Sequence, residues 1–200
     1  ISFFCIRFDV RFCVAPPLLV AFTELTNKNS GAAKRPFSVV VLVSLCAVCG
    51  SATRILLSSL PYFPLTAAEL FSSSFAGDPW NDDWSDKKML ENYIKEVSLG
   101  FNALNYGLLI DGKLSAIALG SIRHWWEGSN YNIEEFCVSK DLQGKGIGSR
   151  FMKMIEDDIK KMGLAGIFLQ TDIDKPSFKF YTKSGFSNLE KHVSLFKSVK

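Results

Sequence analysis

The sequence predicts an α/β (α+β) domain in which helices flank a central sheet. Residues 106–124 contain two apolar runs joined by Asp111-Gly112-Lys113, which is a strong hairpin signal. Residues 131–171 contain a strand, a glycine-rich loop, an amphipathic helix and a further strand in succession. Because polar and apolar residues alternate imperfectly in the strands, we expect the sheet to be covered on both faces.

The chain changes in composition near residue 60. Residues 1–60 are rich in Phe, Val, Leu and Ser and show no sustained hydrophobic period. We therefore expect a non-domain N-terminal extension there, either upstream translated sequence or a poorly ordered segment. The run between Arg35 and Arg54 carries no charge, which leaves a targeting peptide or a membrane anchor as the alternative. Residues 61–200 are expected to form the functional domain.

Charge and cysteine content narrow the class of protein. The net charge of +3 is spread along the chain without a basic block, so we expect no nucleic-acid partner and no membrane partner. Cys137 is the one cysteine after residue 50, which predicts a reduced, cytoplasmic domain. Cys46 and Cys49 have the spacing of half a zinc site but lack a second ligand pair, so we expect no metal.

Capping residues and apolar periodicity predict the order of the elements. A first helix begins near Leu65, where Thr66 and Glu69 form a capping box, and a second runs from Ser85-Asp86 to about Gly100. Strands are predicted at 106–110, 114–124, 131–138, 166–171 and 193–196, and further helices at 148–162 and 176–185.

The glycine-rich loop is Gln143-Gly144-Lys145-Gly146-Ile147-Gly148, directly before a helix. Unpaired N–H groups and the helix dipole favour an anion at this end, and glycines let the backbone approach it closely. The loop lacks the Gly-Lys-Ser/Thr of a P-loop, and Ser149 stands where a dinucleotide-binding loop has its third glycine. The pattern predicts a phosphate-bearing ligand of another class.

Two motifs in this order resemble those of the GCN5-related N-acetyltransferases, the GNAT superfamily. Gln143, Gly146 and Gly148 match its Gln/Arg-x-x-Gly-x-Gly/Ala loop, and residues 180–186 match its Phe-Tyr-x-Lys-x-Gly-Phe signature. The resemblance implies a mixed, mostly antiparallel sheet of about six strands, splayed at the central strand and flanked by about four helices. Arg54–Leu60 is the only candidate for the strand that precedes the first helix in the family. The implied activity is transfer of acetyl from acetyl-CoA to a primary amine, by direct attack in a ternary complex.

The resemblance also implies which residues hold acetyl-CoA. In the family, the backbone corresponding to Phe136, Cys137 and Val138 pairs with the pantetheine arm, and Asp174 stands where an Asn often lies near the cofactor. Lys145 either adds charge near the phosphates or is a solvated loop lysine. The expected loop contacts are the backbone N–H groups of Gln143, Gly144, Lys145, Gly146, Ile147, Gly148 and Ser149.

Acetyl transfer needs a base, because a protonated amine cannot attack. Glu134 and Glu135 lie on the central strand, and consecutive strand residues face opposite sides, so we expect only one of them to face the cleft. The family position, three residues before Val138, favours Glu135, and Glu134 is the alternative. Half-burial is expected to raise the pKa of the carboxyl that acts as base. Tyr181 matches the general acid of the family, which protonates the departing thiolate.

The segment between the first two helices lies over the acceptor site in GNAT enzymes. The resemblance therefore implies that Trp80 and Trp84 form an apolar wall for the substrate and that Asp82 and Asp83 attract a cationic amine. The alternative is a solvated loop whose tryptophans pack into the core.

Trp125 and Trp126 precede the central strand and either line the acceptor cleft or pack at the sheet edge. The acidic, tryptophan-bearing loop favours a small-molecule amine, of the aminoglycoside or polyamine kind, as the partner of a monomer or homodimer. Protein N-termini and lysines are the alternative acceptors. Two alternatives belong to other classes of protein: a non-catalytic acyl-CoA-binding module, and a membrane-tethered protein that uses residues 37–53.

Overall fold

The computed structural model describes residues 63–199 and, for three strands nearer the N-terminus, the backbone of residues 19–24, 38–45 and 52–57. These residues form two compact units, one that ends at Leu169 and one that begins at Gln170. Cys46 and Cys49 lie outside the described residues, as does part of the anchor candidate at 37–53.

Among the described residues, the first unit contains seven strands, three α-helices and one 3₁₀ turn at Lys140–Leu142. The strands are β1 Leu19–Glu24, β2 Ser38–Leu45, β3 Ala52–Leu57, β4 Tyr106–Ile110, β5 Lys113–Trp125, β6 Gly128–Val138 and β7 Gly166–Leu169. The helices are α1 Phe63–Phe75, α2 Lys87–Leu99 and α3 Ile147–Lys161. The second unit carries α4, Pro176–Lys183.

The strands form one sheet in chain order. β1 to β6 pair antiparallel, and β7 pairs parallel to β6 from Asn130–Gly166 to Ile133–Leu169. β6 continues to Val138, and in the described part of the chain no strand pairs with residues 134–138 on the β7 side. The predicted fold class, a mixed and mostly antiparallel sheet that is flanked by helices and open at its central strand, is confirmed.

The strand before α1 is β3, which pairs with β4 over residues 53–57. It overlaps Arg54–Leu60, the predicted candidate, and starts two residues earlier. β1 and β2 were not predicted, because residues 1–60 show no sustained period. The domain boundary near residue 60 stays a prediction.

β6 carries one extra residue in its pairing with β5. Gly120 pairs with Ile133 and Leu119 pairs with Glu135, so Glu134 has no partner on β5 and forms a β-bulge. A Cβ at Gly120 would lie 2.1 Å from the carbonyl oxygen of Asn132. Only glycine therefore fits opposite the bulge.

α1 and α2 cover one face of the sheet, and α3 covers the other. On the α3 face, Phe136 stacks on Phe151 with ring centroids 5.5 Å apart, and Tyr106 donates a 3.0 Å hydrogen bond to the buried Asp158. The α1/α2 face has its own core, formed by Phe63, Ala67, Leu70, Phe71, Leu90, Ile94, Ile117, Leu119 and Cys137. Because Phe136 and Cys137 contribute to different faces, the residues after the bulge alternate as a regular strand does.

The helix starts follow the prediction in one case and depart from it in another. Asp86 caps α2 as predicted, and its carboxylate accepts hydrogen bonds from the N–H groups of Lys88 and Met89 at 2.9 and 3.0 Å. The capping box at Thr66 is wrong. α1 begins at Phe63, and the Thr66 hydroxyl donates to the Phe63 carbonyl at 3.1 Å inside the first turn.

The strand predicted at 193–196 is also wrong. Residues 193–199 belong to no strand or helix, and the side chains of Val193, Leu195 and Phe196 are exposed. The described residues of the second unit include no strand that could supply ladder hydrogen bonds, and an isolated strand leaves its backbone groups unpaired.

Asn105 connects α2 to the strand opposite the bulge. Its buried side chain accepts a hydrogen bond from the Gly120 N–H at 3.2 Å and donates one to the Ser98 carbonyl at 2.8 Å. We expect Asn105→Ala to lower the free energy of unfolding by roughly 1–3 kcal/mol, because the Gly120 N–H and the Ser98 carbonyl lose their hydrogen-bond partner. Urea unfolding measures the change. Asn92→Ala, on the exposed side of α2, is the matched control, and equal midpoints for the two variants would contradict this role.

None of the helices in the described residues is long and apolar enough to cross a membrane.

Candidate active site

β6 and α2 bring Glu135 and Tyr93 together. Glu135 is half-buried directly after the bulge, and its carboxylate accepts a hydrogen bond from the Tyr93 hydroxyl. Burial raises the pKa of Glu135 to about 7; the Tyr93 hydrogen bond acts against this rise, and the charges of Asp82 and Glu134 add to it. A carboxyl that titrates near neutral pH is suited to accept a proton from a substrate.

Glu134 has a different environment from Glu135. It is exposed, and its carboxylate lies 3.6 Å from the guanidinium of Arg123, which is itself exposed. The expected alternation does not separate the two carboxyls, because the bulge at Glu134 interrupts it. Burial separates them instead.

The loop between α1 and α2 contacts Tyr93 through Trp84. The Trp84 ring stacks on the Tyr93 ring with centroids 5.2 Å apart, and its indole N–H donates to the Asp82 carboxylate at 3.4 Å. The charge of Asp82 acts on the pKa values of both Tyr93 and Glu135. Asp82, Trp84, Tyr93 and Glu135 thus form a contiguous group, here named the Glu135 cluster.

Trp80 and Asp83 have contacts of their own. The Trp80 ring packs edge-on against Phe75 of α1, with centroids 5.5 Å apart. Asp83 is exposed and accepts a hydrogen bond from the Ser85 N–H at 3.0 Å; hydrogen bonds from the side chain and backbone of Ser85 lower the pKa of Asp83. These contacts associate Trp80 with α1 and Asp83 with the start of α2. Trp84, half-buried, both packs into the aromatic layer and borders Asp82.

Trp125 and Trp126 lie at the tip of the β5–β6 hairpin, where 68% and 82% of their surfaces are exposed. The strand from Gly128 to Glu135 spans roughly 20 Å at about 3.3 Å per residue. The structure therefore does not bring these tryptophans to Glu135, and their role in substrate binding stays a prediction.

The glycine-rich loop begins α3. Gly144 and Gly146 have φ of 72° and 76°, a conformation that favours glycine, and Gly146 is the N-cap. The Arg150 N–H donates to the Gly146 carbonyl at 3.1 Å, whereas within the described chain the N–H groups of residues 144–149 have no backbone acceptor. This row of N–H groups, whose residues are exposed or half-buried, fits a phosphate-bearing ligand; it includes Lys145, Ile147, Gly148 and Ser149.

Gln143 joins this loop to the end of β6, since its side-chain amide donates to the Val138 carbonyl at 2.9 Å. The Ser139 N–H donates to the Ser115 carbonyl at 2.9 Å. In an antiparallel ladder the backbone groups alternate in direction, so those of Phe136 and Val138 point away from β5, toward the side that β7 leaves open. An extended ligand arm can pair there as a further strand would.

Cys137 is the single cysteine in the described residues, and its thiol is buried in the α1/α2 core. Burial raises the pKa of Cys137 to about 12. A thiol in this state is a poor nucleophile at neutral pH. In the same described residues, no group of His, Cys, Asp and Glu side chains has the arrangement of a metal site.

Tyr181 and Asp174 lie in the second unit. Tyr181 is buried on α4, and its ring meets those of Phe180 and Phe186 edge-on, with centroids 5.1 and 5.4 Å away. Asp174 is exposed in the turn before α4. The roles of both residues stay predictions.

Sequence reasoning did not identify Tyr93 as a site residue, because it lies among apolar residues on the core-facing side of α2. The available signal was chemical. A half-buried tyrosine needs a partner for its hydroxyl, and the site supplies a carboxylate.

The sequence profile of the Acetyltransferase (GNAT) family matches residues 66–186, which is more than half of the chain. The match includes the Glu135 cluster, the glycine-rich loop and the Phe-Tyr-x-Lys-x-Gly-Phe signature. The chain therefore belongs to the GNAT family of N-acetyltransferases, enzymes that use acetyl-CoA, as the two motifs predicted.

Solved structures of this fold are similar to the chain at low sequence identity. An aminoglycoside acetyltransferase from an uncultured soil metagenomic sample, in complex with sisomicin, has 19% identity and a TM-score of 0.56 over 75% of this chain and 97% of its own. Aminoglycoside N-acetyltransferase AAC(6')-Iy in complex with CoA has 16% identity and a TM-score of 0.58, over 78% of this chain and 100% of its own. A ribosomal-protein-alanine N-acetyltransferase from Brucella melitensis biovar Abortus 2308 has 14% identity and a TM-score of 0.58, over 74% of this chain and 100% of its own. At sequence identities this low, the similarity between this chain and these structures shows the fold alone.

Proposed function

We propose that this protein transfers the acetyl group of acetyl-CoA to the primary amine of a small cationic molecule, by direct attack in a ternary complex. The observation that carries the proposal is the half-buried Glu135 carboxyl, whose pKa is raised to about 7, beside the open backbone of β6. Acetyl-CoA supplies the activated thioester. The protein would bind acetyl-CoA, remove a proton from the amine and return a proton to the leaving thiolate.

The cofactor-binding assignment rests on two backbone features. The N–H row of residues 144–149 would hold the phosphates, with Gln143 supporting the loop and Lys145 adding positive charge. The backbone of Phe136 and Val138 would pair with the pantetheine arm. An N–H group on this open side would also stabilise negative charge that develops on the thioester oxygen.

Glu135 would act as the base that takes a proton from the bound ammonium, directly or through water. Glu134 is the weaker candidate because it is exposed and its carboxylate lies beside the guanidinium of Arg123. The raised pKa of Cys137 and its place in the core support direct attack over a covalent intermediate.

Tyr181 would protonate the departing thiolate. This assignment follows from its place in the Phe-Tyr-x-Lys-x-Gly-Phe signature. Asp174 would lie near the cofactor, where the family often has Asn.

The acceptor class follows from Asp82 and Trp84. An exposed carboxylate next to an aromatic face attracts and orients a protonated amine. Asp83 adds negative charge to the same loop, and Trp80 adds apolar surface. The fold likeness to aminoglycoside acetyltransferases supports a small amine, and the likeness to a ribosomal-protein-alanine acetyltransferase makes a protein N-terminus the second candidate. We place the reaction in the cytoplasm, where acetyl-CoA is available.

The test is release of free thiol from acetyl-CoA by the full chain with aminoglycosides, polyamines and short peptides in turn, alongside calorimetric titration with acetyl-CoA. We expect turnover with one class of small cationic amine. Turnover with peptides alone would transfer the proposal to protein acetylation. Binding of acetyl-CoA without thiol release by any amine would replace it with a non-catalytic module, and absence of binding would overturn it.

Tyr181→Phe should lower kcat by about 100-fold because the leaving thiolate loses its acid. The KM for the amine and the Kd for acetyl-CoA should stay close to those of the wild type. Steady-state kinetics with calorimetry separates these quantities. Wild-type kcat in this variant would remove the assigned role.

A further inference from the structure

We propose that Tyr93 is a positioning residue of the reaction, whose hydroxyl holds the Glu135 carboxylate in the orientation from which it takes the proton. Trp84 and Phe71 hold the Tyr93 ring, so the loop that carries Asp82 and the base on β6 are mechanically connected. This inference deepens the proposed function and rests on it.

The hydrogen bond leaves one oxygen of the base available. The Tyr93 hydroxyl donates to Oε1 of Glu135, and within the described residues it is the sole hydrogen-bond donor to this carboxylate. Oε2 is then the oxygen that can accept a proton from the amine. A carboxylate held by one oxygen cannot rotate freely, which keeps the other in a constant position.

The ring of Tyr93 is fixed from two sides. Trp84 stacks on it with an angle of 27° between the planes, and Phe71 of α1 lies with its centroid 5.6 Å away. Aromatic pairs at these separations favour one ring orientation. A phenylalanine at position 93 would keep both contacts and lose the hydroxyl alone.

The charged groups around Glu135 give the hydrogen bond a second effect. Asp82 from the α1–α2 loop and Glu134 from the same strand are both negative and favour the protonated form, as burial does. The Cys137 thiol on the same face is neutral. The Tyr93 hydroxyl is thus the group that favours the ionised base, and burial and the Glu135 charge hold the pKa of Tyr93 well above its usual range, so that it remains a donor.

The test is the pH profile of kcat/KM for Tyr93→Phe between pH 5.5 and 9. The acidic limb of this profile is the range in which kcat/KM falls as the pH is lowered and Glu135 becomes protonated. Because loss of the donor raises the pKa of Glu135, the acidic limb should move to higher pH by roughly one unit. At pH 7, kcat should fall by up to about tenfold while the KM for acetyl-CoA is unchanged. Trp84→Phe, which loosens the ring without removing the hydroxyl, should shift the limb less in the same direction.

The matched control is Tyr106→Phe. It also removes a buried tyrosine hydroxyl that donates to a carboxylate, that of Asp158, but on the α3 face of the sheet. This variant should lower stability and leave the acidic limb where it is.

A second readout does not need turnover. Carbon-13 NMR of the glutamate carboxyls, in the protein without acetyl-CoA, should show Glu135 titrating at higher pH in Tyr93→Phe than in the wild type. In the Glu135→Gln background, Tyr93→Phe should have no further kinetic effect, because the two residues act as a unit.

Two outcomes overturn the inference: an acidic limb in Tyr93→Phe that matches the wild type, or one that moves to lower pH. If Glu135→Gln keeps full activity, the proposed base fails. If Glu135→Gln is inactive and Tyr93→Phe behaves as the wild type at every pH, only the role of Tyr93 fails.

Discussion

Glu135→Gln is expected to lower kcat/KM by about 10³-fold, because the amide has the shape of the carboxyl but cannot take a proton. In the wild type, kcat/KM should fall as the pH drops below about 7, where Glu135 becomes protonated. In the variant this limb should disappear. Binding of acetyl-CoA, measured by calorimetry, should be unchanged because the loop at 143–149 is intact.

Glu134→Gln distinguishes the two carboxyls. It removes the same charge from the adjacent residue, where the carboxylate is exposed and paired with Arg123. We expect turnover within about threefold of the wild type, since exposed ion pairs contribute little. Its acidic limb should move slightly to lower pH, because the charge of Glu134 raises the pKa of Glu135. Inactivity of this variant alone would transfer the role of base to Glu134.

The Glu135→Gln variant should also gain stability at neutral pH. The pKa of Glu135 is higher in the folded protein than its reference of 4.5, so between these values the folded state binds a proton that the unfolded state has lost. The contribution of Glu135 to stability therefore falls as the pH rises through this window. Thermal unfolding at pH 8 should favour the variant over the wild type, with little difference at pH 4. A gain in stability together with lost activity separates loss of the base from loss of the fold.

Gly120→Ala should cause the largest loss of stability, roughly 3–5 kcal/mol. The new Cβ would lie 2.1 Å from the Asn132 carbonyl oxygen and 2.9 Å from a ring carbon of Tyr131, and the first of these is backbone that can move only if β5 and β6 separate. Urea unfolding followed by circular dichroism measures the change. Activity should also fall in the folded fraction, because the separated strands no longer hold Glu135 against Tyr93.

Gly166→Ala is the control, a glycine-to-alanine change in β7 of the same sheet. Its Cβ would lie 3.6 Å from the Asn130 side chain, an ordinary contact, so we expect a change within about 1 kcal/mol. Equal midpoints for Gly120→Ala and Gly166→Ala would show that the bulge tolerates a side chain.

Local signals were sufficient to predict much of the fold. Asp111 and Gly112 both have positive φ in the β4–β5 turn, as the hairpin prediction requires, and α3 begins one residue before its predicted start at Gly148. These features depend on the chemistry of neighbouring residues. The loop and signature motifs also predicted the family.

Features that depend on distant contacts were not predictable in the same way. The partner of Tyr93 lies 42 residues further along the chain, so it emerges only when α2 packs against β6. The bulge has one sequence signal, the isolated Gly120 inside a strand, which does not say which residue of the partner strand is extra. The strand predicted at 193–196 failed because apolar residues in a run do not by themselves supply a neighbouring ladder.

The bulge has a consequence for how this strand tolerates change during evolution. Glu134 is the extra residue, so Ile133 and Glu135 occupy neighbouring positions in the pairing with β5 whether or not a residue stands between them. A substitution at 134 alters one exposed side chain. A deletion there would remove the bulge and leave Glu135 opposite Leu119, on the face of the sheet that carries Tyr93. A deletion after Glu135 would have no extra residue to absorb it and would turn the residues beyond it to the other face. The length of this strand can therefore change by one residue at the bulge without moving the base, but not between the base and Val138.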